Sequence, residues 1–208
     1  QVIYNPLNKN DIIKLSKHKL NFKFFSNKNF FRVISMGRLV DQKDFITFLK
    51  AIEIVKKKIK LKALIIGNET LKEKIEKIIK FNKLKKIVKI IDYKKNPFKY
   101  LRLADIFILS SKFEGLPNVL LEAASLKIPI ISSNCNTGPK EILSAGKGGL
   151  LFKVGNANQL SEKIIFSKSN YKLMKKKIMY ANKNLKRFDK ETNLLKYFIV
   201  IKFFLNNY

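Results

Sequence analysis

Six short strand-like runs, rich in apolar residues, punctuate this chain at residues 32–37, 61–67, 87–91, 105–109, 128–132 and 149–152, and helix-forming stretches fill the gaps. A run such as Ile106-Phe107-Ile108-Leu109 is apolar at every position. That suits a strand buried on both faces better than one with a wet side. Strands that alternate with helices specify a parallel sheet joined by right-handed crossovers. The intervening helices are expected at 42–59, 70–82, 97–103, 117–126 and 137–144, with further helices at 157–168, 170–186 and 189–205. Residues 1–29 are rich in Asn and Lys and read as irregular, with one short helix near Lys9 to Ser16. The fold class is therefore α/β, a Rossmann-like parallel sheet with helices on both faces. A chain of 208 residues, 46% of them apolar, is long enough to bury such a core.

Open parallel sheets bind ligands beyond the carboxyl ends of their strands. The richest such end is Phe113-Glu114-Gly115-Leu116-Pro117-Asn118-Val119-Leu120-Leu121-Glu122-Ala123, after the fourth run. Pro117 is placed to be the first residue of a helix, where its missing N–H costs nothing. The free amides and positive dipole end of a helix start favour an anion such as phosphate. Gly115 lets the backbone approach a ligand closely. Asn118 and Glu122 share a helix face one turn apart, while Glu114 reaches in from the strand end. A phosphate flanked by two hydroxyl-bearing rings would use all of these groups, and a nucleotide sugar has that layout.

This segment resembles the signature of retaining GT-B glycosyltransferases, specifically the glycosyltransferase family 4 group. Further matches follow in family order: Gly37-Arg38-Leu39 with Lys43; Ile65-Ile66-Gly67-Asn68; Ile128-Pro129-Ile130-Ile131-Ser132; Thr137-Gly138-Pro139-Lys140-Glu141-Ile142-Leu143; and Gly149-Leu150-Leu151-Phe152. Together they cover about residues 30 to 165. Asp44 departs from the family, which usually has Gly after this Lys. The resemblance implies that the chain is one lobe of a GT-B fold. It implies that Arg38 and Lys43 bind the donor diphosphate, Glu122 the nucleotide ribose and Glu114 the hydroxyls of the transferred sugar. The backbone at Gly37, Gly67, Gly115, Leu116, Asn118 and Val119 would complete the donor site. Glu114, Arg38 and Lys43 would act in catalysis, the cations meeting the charge that grows on the leaving diphosphate. No Asp-x-Asp pair occurs, so protein cations rather than a metal are expected, with no cofactor; the nucleotide sugar, a UDP-sugar, is a substrate.

Each residue also has a plainer reading. A lone pair of glutamates eight apart is commonly two solvated helix carboxylates, and Arg38 and Lys43 would be ordinary surface charges in so basic a chain. Glu141 could simply charge the first turn of its own helix.

The formal net charge is +29, and 40 of the 44 basic residues are Lys. Base readers and phosphate forks favour Arg. Heavy use of Lys, Asn, Ile and Phe is first explained by an AT-rich genome. Contact with an anionic membrane surface comes second, at about 1 kcal/mol per near-surface charge, and nucleic acid a distant third. Cys135 is the sole cysteine and His18 the sole histidine; the first excludes an internal disulfide, and the second is expected at the surface. No apolar run approaches the ~18 residues of a membrane span. A cytoplasmic setting is expected, with peripheral attachment to the cytoplasmic face of a membrane as the open alternative.

Val2-Ile3-Tyr4-Asn5-Pro6 resembles the interdomain segment that precedes the second GT-B lobe. Residues 1–29 are accordingly expected to be an interdomain segment and 30–187 the nucleotide-sugar-binding domain. Residues 188–208 are expected to form a C-terminal helix that packs on an absent N-terminal lobe and otherwise leaves an apolar patch bare. The function implied is transfer, with retention, to a glycan or lipid-linked acceptor in cell-surface polysaccharide or lipopolysaccharide synthesis. The alternatives are a non-catalytic basic module for anionic membrane or nucleic acid, and a GT-B-like nucleotide-sugar epimerase.

Overall fold

The computed structural model describes residues 2–207, with side chains to 205; Gln1 and Tyr208, the outer ends of the two flanking segments, lie outside the described residues. Six strands, β1 (Phe31–Met36), β2 (Leu61–Ile66), β3 (Val88–Ile91), β4 (Ile106–Leu109), β5 (Ile130–Ser133) and β6 (Leu150–Phe152), form one sheet in the order β3-β2-β1-β4-β5-β6. Every neighbouring pair is parallel. The order reverses between β1 and β4, the switch point where a crevice opens beyond the strand ends.

Strand period 2 divides the core. Val33, Ala63, Ile65, Ile106, Ile108 and Ile131 pack on one face, under α2 (Phe45–Val55), α3 (Lys72–Phe81) and α7 (Ala157–Ser169). Ile34, Leu64, Phe107, Leu109 and Ile130 pack on the other, under α1 (Lys9–Ser16), α4 (Phe98–Leu101), α5 (Asn118–Ser125) and α8 (Tyr171–Lys183). Helices therefore cover both faces, as the alternation of runs requires.

Several helices are shorter than their sequence patterns suggest. The stretch expected at 42–59 opens with a 3₁₀ turn, Asp41–Lys43, and becomes α-helical only at Phe45. Asp44 explains the break: its backbone is left-handed (φ 45°), and its carboxylate accepts from the Thr47 amide at 3.1 Å and hydroxyl at 2.6 Å. The stretch at 137–144 reduces to α6 (Pro139–Ile142), which begins after Gly138 at φ +72°. Pro117 is not the first helical residue; it is extended (ψ 104°) and α5 starts at Asn118. It takes the cap position instead, where a non-helical backbone is the rule.

Residues 2–29 do not hang free. Leu7, Ile12 and Phe25 are buried in the same core as β1 and β4. The Leu7 amide donates to the Phe188 carbonyl at 2.8 Å, and the Tyr4 amide donates to Asn193 Oδ1 at 3.1 Å. The start of the chain thus lies beside the start of α9 (Lys190–Asn207). Beyond that clamp α9 stands out from the core: Leu195, Phe198, Ile199, Ile201, Phe203, Phe204 and Leu205 are each more than half exposed. None of the helices among the described residues is long and apolar enough to cross a membrane.

Candidate functional site

The site is built where β1 and β4 end. After Met36, the chain turns at Gly37 and passes beneath Gly67, which follows β2. A Cβ on Gly67 would lie 2.0 Å from the Gly37 carbonyl oxygen, so only glycine permits this crossing. The crossing forms the floor of a cleft of about 390 Å³. Gly37, Arg38, Gly67 and Asn68 line it from the first two strand ends, and Val119 and Glu122 line it from α5.

Arg38 is exposed there, and among the described residues its guanidinium has no carboxylate partner. Glu122 sits deeper. Burial pushes its carboxyl up to about 7, and among the described residues no cation offsets that rise. A carboxylate that is desolvated without a counter-charge is held at a cost, a condition common in functional sites.

Lys43 and Glu114 lie on the adjoining rim and face each other. Lys43 Nζ is 2.6 Å from Glu114 Oε1, which also accepts from Ser111 Oγ at 2.6 Å. The Lys43 side chain also runs within 3.5 Å of the place a Gly37 Cβ would take, so this pair adjoins the cleft. Sequence reasoning separated the two residues, one toward diphosphate and one toward sugar; the structure pairs them with each other. The loops that carry them are laced together. Ser110 Oγ donates to the Lys43 carbonyl at 2.9 Å, and the Lys112 amide donates to the Gln42 carbonyl at 2.8 Å.

The Glu114-to-Pro117 loop is buttressed from behind by residues 137–138. Thr137 Oγ1 donates to the Glu114 carbonyl at 2.5 Å. Gly138 presses against the loop so closely that a Cβ would fall 1.8 Å from the Gly115 oxygen. On its outer side Gly115 is open, with nothing within 4 Å of the place a Cβ would take. Leu116 is partly buried and Asn118 exposed, and neither lines the cleft. No side chain caps α5, so its first amides lack a side-chain partner, the condition in which a helix start accepts an anion. Among the described residues, no three His, Cys, Asp or Glu side chains gather.

Sequence reasoning missed the third wall. Tyr93, Lys95 and Pro97, from the loop after β3, and Phe98, the first residue of α4, complete the cleft, and the Tyr93 ring is 72% exposed. The signal available was positional: β3 lies beside β2 in a parallel sheet, so its carboxyl end opens on the same edge.

Solved structures of this shape include a glycosyltransferase from Rickettsia africae, with TM-score 0.87 at 20% identity, over 100% of this chain and 58% of that one. Another is the Anabaena protein HepE in complex with UDP and glucose, with TM-score 0.84 at 19% identity, over 97% and 56%. Among curated sequences, an uncharacterised glycosyltransferase of Methanocaldococcus jannaschii is 40% identical over 117 residues, 56% of this chain and 29% of its own length. An N-acetylgalactosaminyltransferase of Campylobacter jejuni, named for a diphospho-undecaprenol-linked acceptor, is 28% identical over 76% of this chain and 43% of its own length. The chain thus spans less than half the length of either curated relative. The sequence model of the glycosyl transferases group 1 matches residues 16–184, a span that holds all six strands and every residue of the cleft. By that match the chain belongs to the glycosyl transferases group 1 family.

Proposed function

We propose that this chain is the donor-binding lobe of a transferase that takes a UDP-sugar and moves the sugar, with retention, to a glycan or lipid-linked acceptor in cell-surface polysaccharide or lipopolysaccharide synthesis. The observation that carries the reading is the convergence at one switch point: Arg38 and Glu122 line one cleft, and the Lys43–Glu114 pair sits on its rim. The names of the relatives and the UDP in the HepE structure support the choice of donor and acceptor class.

In this reading the nucleoside enters the 390 Å³ cleft. The ribose hydroxyls donate to Glu122, and the exposed Tyr93 ring offers the base a stacking face. The diphosphate crosses the start of α5, whose uncapped amides and positive dipole end attract it. Arg38 closes on it with a planar two-point fork. Lys43 is the second cation. Its ion pair with Glu114 holds both groups ready, and an incoming phosphate shares the ammonium while sugar hydroxyls take up the carboxylate. Charge grows on the diphosphate as the anomeric bond breaks, and fixed cations stabilise that growth by a few kcal/mol each. Glu114 positions the sugar and is not a nucleophile. With protein cations in this role, neither metal nor other cofactor is required, so UDP affinity is expected to be unchanged by EDTA; a tenfold loss on chelation would contradict this part of the reading.

The exposed helix α9 fits the same picture. Its apolar side chains point in all directions, which suits burial between two bodies, and an N-terminal GT-B lobe is the partner we assign to it.

Calorimetric titration tests the reading. UDP is expected to bind the wild-type chain in moderate salt, and Arg38→Ala is expected to weaken it ~10- to 100-fold, the loss of a charged hydrogen-bonding partner. Binding that collapses with salt and ignores Arg38→Ala would instead indicate a non-specific basic surface.

A further inference from the structure

We propose that the outward face of α8 docks on an anionic lipid bilayer. From Lys163 to Phe188 the chain carries nine basic residues and no acid. Within α8, Met174, Ile178 and Ala181 point into the core and are at most 2% exposed. The opposite arc holds Lys172, Leu173, Lys176, Met179, Tyr180 and Lys183, all exposed. Half of that outward arc is therefore large and apolar, with Leu173 at 42%, Met179 at 48% and Tyr180 at 41%.

Neither fold nor solubility asks for this pattern. The core is already satisfied by the inward residues, and a face that only had to be wet would carry polar groups throughout. Helix α3 shows the contrast: its lysines are interleaved with Glu73 and Glu76. Among the described residues no α8 lysine has a carboxylate partner. Lys177 reaches only the Gly146 carbonyl, at 2.7 Å.

Lysines spaced between Leu, Met and Tyr match the interface of a bilayer, where anionic headgroups meet the ammonium groups and the apolar side chains enter the acyl boundary. A second copy of this chain would bring like charge against like. Nucleic acid is the poorer partner, because the arc holds no Arg fork for phosphate and only one ring to stack on bases. The inference rests on α8 alone and is independent of the transferase reading.

The full chain has no Trp, so Met179→Trp reports on this face alone. It is titrated with vesicles of phosphatidylglycerol and phosphatidylcholine, and with phosphatidylcholine vesicles. The expected result is co-sedimentation and a blue shift with the anionic vesicles only. In that background, changing Lys172, Lys176 and Lys183 to Gln is expected to weaken partitioning ~150-fold, at about 1 kcal/mol per cation. The same change at Lys74, Lys77 and Lys80 of α3 is expected to shift it less than about threefold. Because α9 is unaltered in all variants, the two Lys triples are compared on the same background. Equal losses from both triples would overturn the proposal, as would equal binding to uncharged vesicles. So would sedimentation without an emission shift, or the same shift with a short RNA.

Discussion

Glu122 is the residue at which stability and binding pull in opposite directions. Its carboxyl, raised by burial from an ordinary 4.5 to about 7, is taken up neutral by the folded chain. Between those two values the folded state binds more proton than the unfolded one, so the contribution of this group to stability falls as pH rises. It is largest below pH 4.5 and is lost as pH passes through 7. The full change is on the order of 3 kcal/mol, at 1.36 kcal/mol per pKa unit. Glu122→Gln is expected to raise the melting temperature at pH 8 and to flatten stability between pH 5 and 7, while UDP affinity at pH 8 drops at least ~10-fold. A variant that melts lower at pH 8 would show that the buried carboxylate is not strained. Asp44 offers a second contrast. Its left-handed backbone costs a non-glycine residue ~1–2 kcal/mol, and its cap to Thr47 returns ~1 kcal/mol. Urea unfolding is expected to find Asp44→Gly near neutral and Asp44→Ala destabilised by ~1–2 kcal/mol. The sequence marked Asp44 as a departure from a glycine pattern; it could not show that Asp takes the glycine backbone and adds a cap.

Among the elements, the loop after β4 depends on its neighbours more than on its own residues. Gly115 faces open space, whereas Gly138, at φ +72°, touches the Gly115 carbonyl. Gly115→Ala is therefore expected to fold with little change. Gly138→Ala, which sets a methyl 1.8 Å from that oxygen, is expected to cost ~3 kcal/mol or more from strain and overpacking and to abolish UDP binding. Similar stability for both variants would mean that the 137–138 turn does not hold the loop. The strands were legible because burial in a parallel sheet leaves runs dominated by apolar residues, interrupted only by Arg32, Ser35, Lys62, Lys89, Ser132 and Ser133, and each falls within two residues of its pattern. The short helices α4 and α6 were overestimated because the backbone leaves helical geometry beyond them although Ala104 and Leu143 stay buried: Leu103 and Ala104 bond back to Tyr100 and Leu101 in a tighter turn, and Ser144 and Ala145 turn left-handed at φ 48° and 51°. The Lys43–Glu114 pair was not legible at all. Those residues stand 71 apart, and only the meeting of β1 with β4 brings their loops together.

Across the whole molecule, the clamp that joins residues 4–7 to residues 188–193 ends where α9 leaves the core. Tyr4 packs against Phe188 with its ring tilted by 59° and the centroids 4.7 Å apart, its hydroxyl donates to Glu141, and Asn193 is fully buried. Beyond it, α9 exposes more large apolar side chains than a free surface normally carries. Light scattering is expected to show concentration-dependent association of this chain, reversed by mild detergent. A chain that stays monodisperse at high concentration would show that α9 needs no cover. The parallel sheet and its helices were readable from one sequence, as was the end of the sheet at which the cleft opens. The Tyr93 wall was not, since a loop aromatic gains meaning only when the sheet order places it over the neighbouring strand ends. The central claim is that one nucleotide diphosphate spans the β1–β4 switch point, and a crystal structure of the chain soaked with UDP measures it directly. The account predicts ribose oxygens within hydrogen-bond distance of Glu122 and phosphate oxygens at Arg38 and the first amides of α5. UDP bound anywhere else, with that cleft empty, would contradict it.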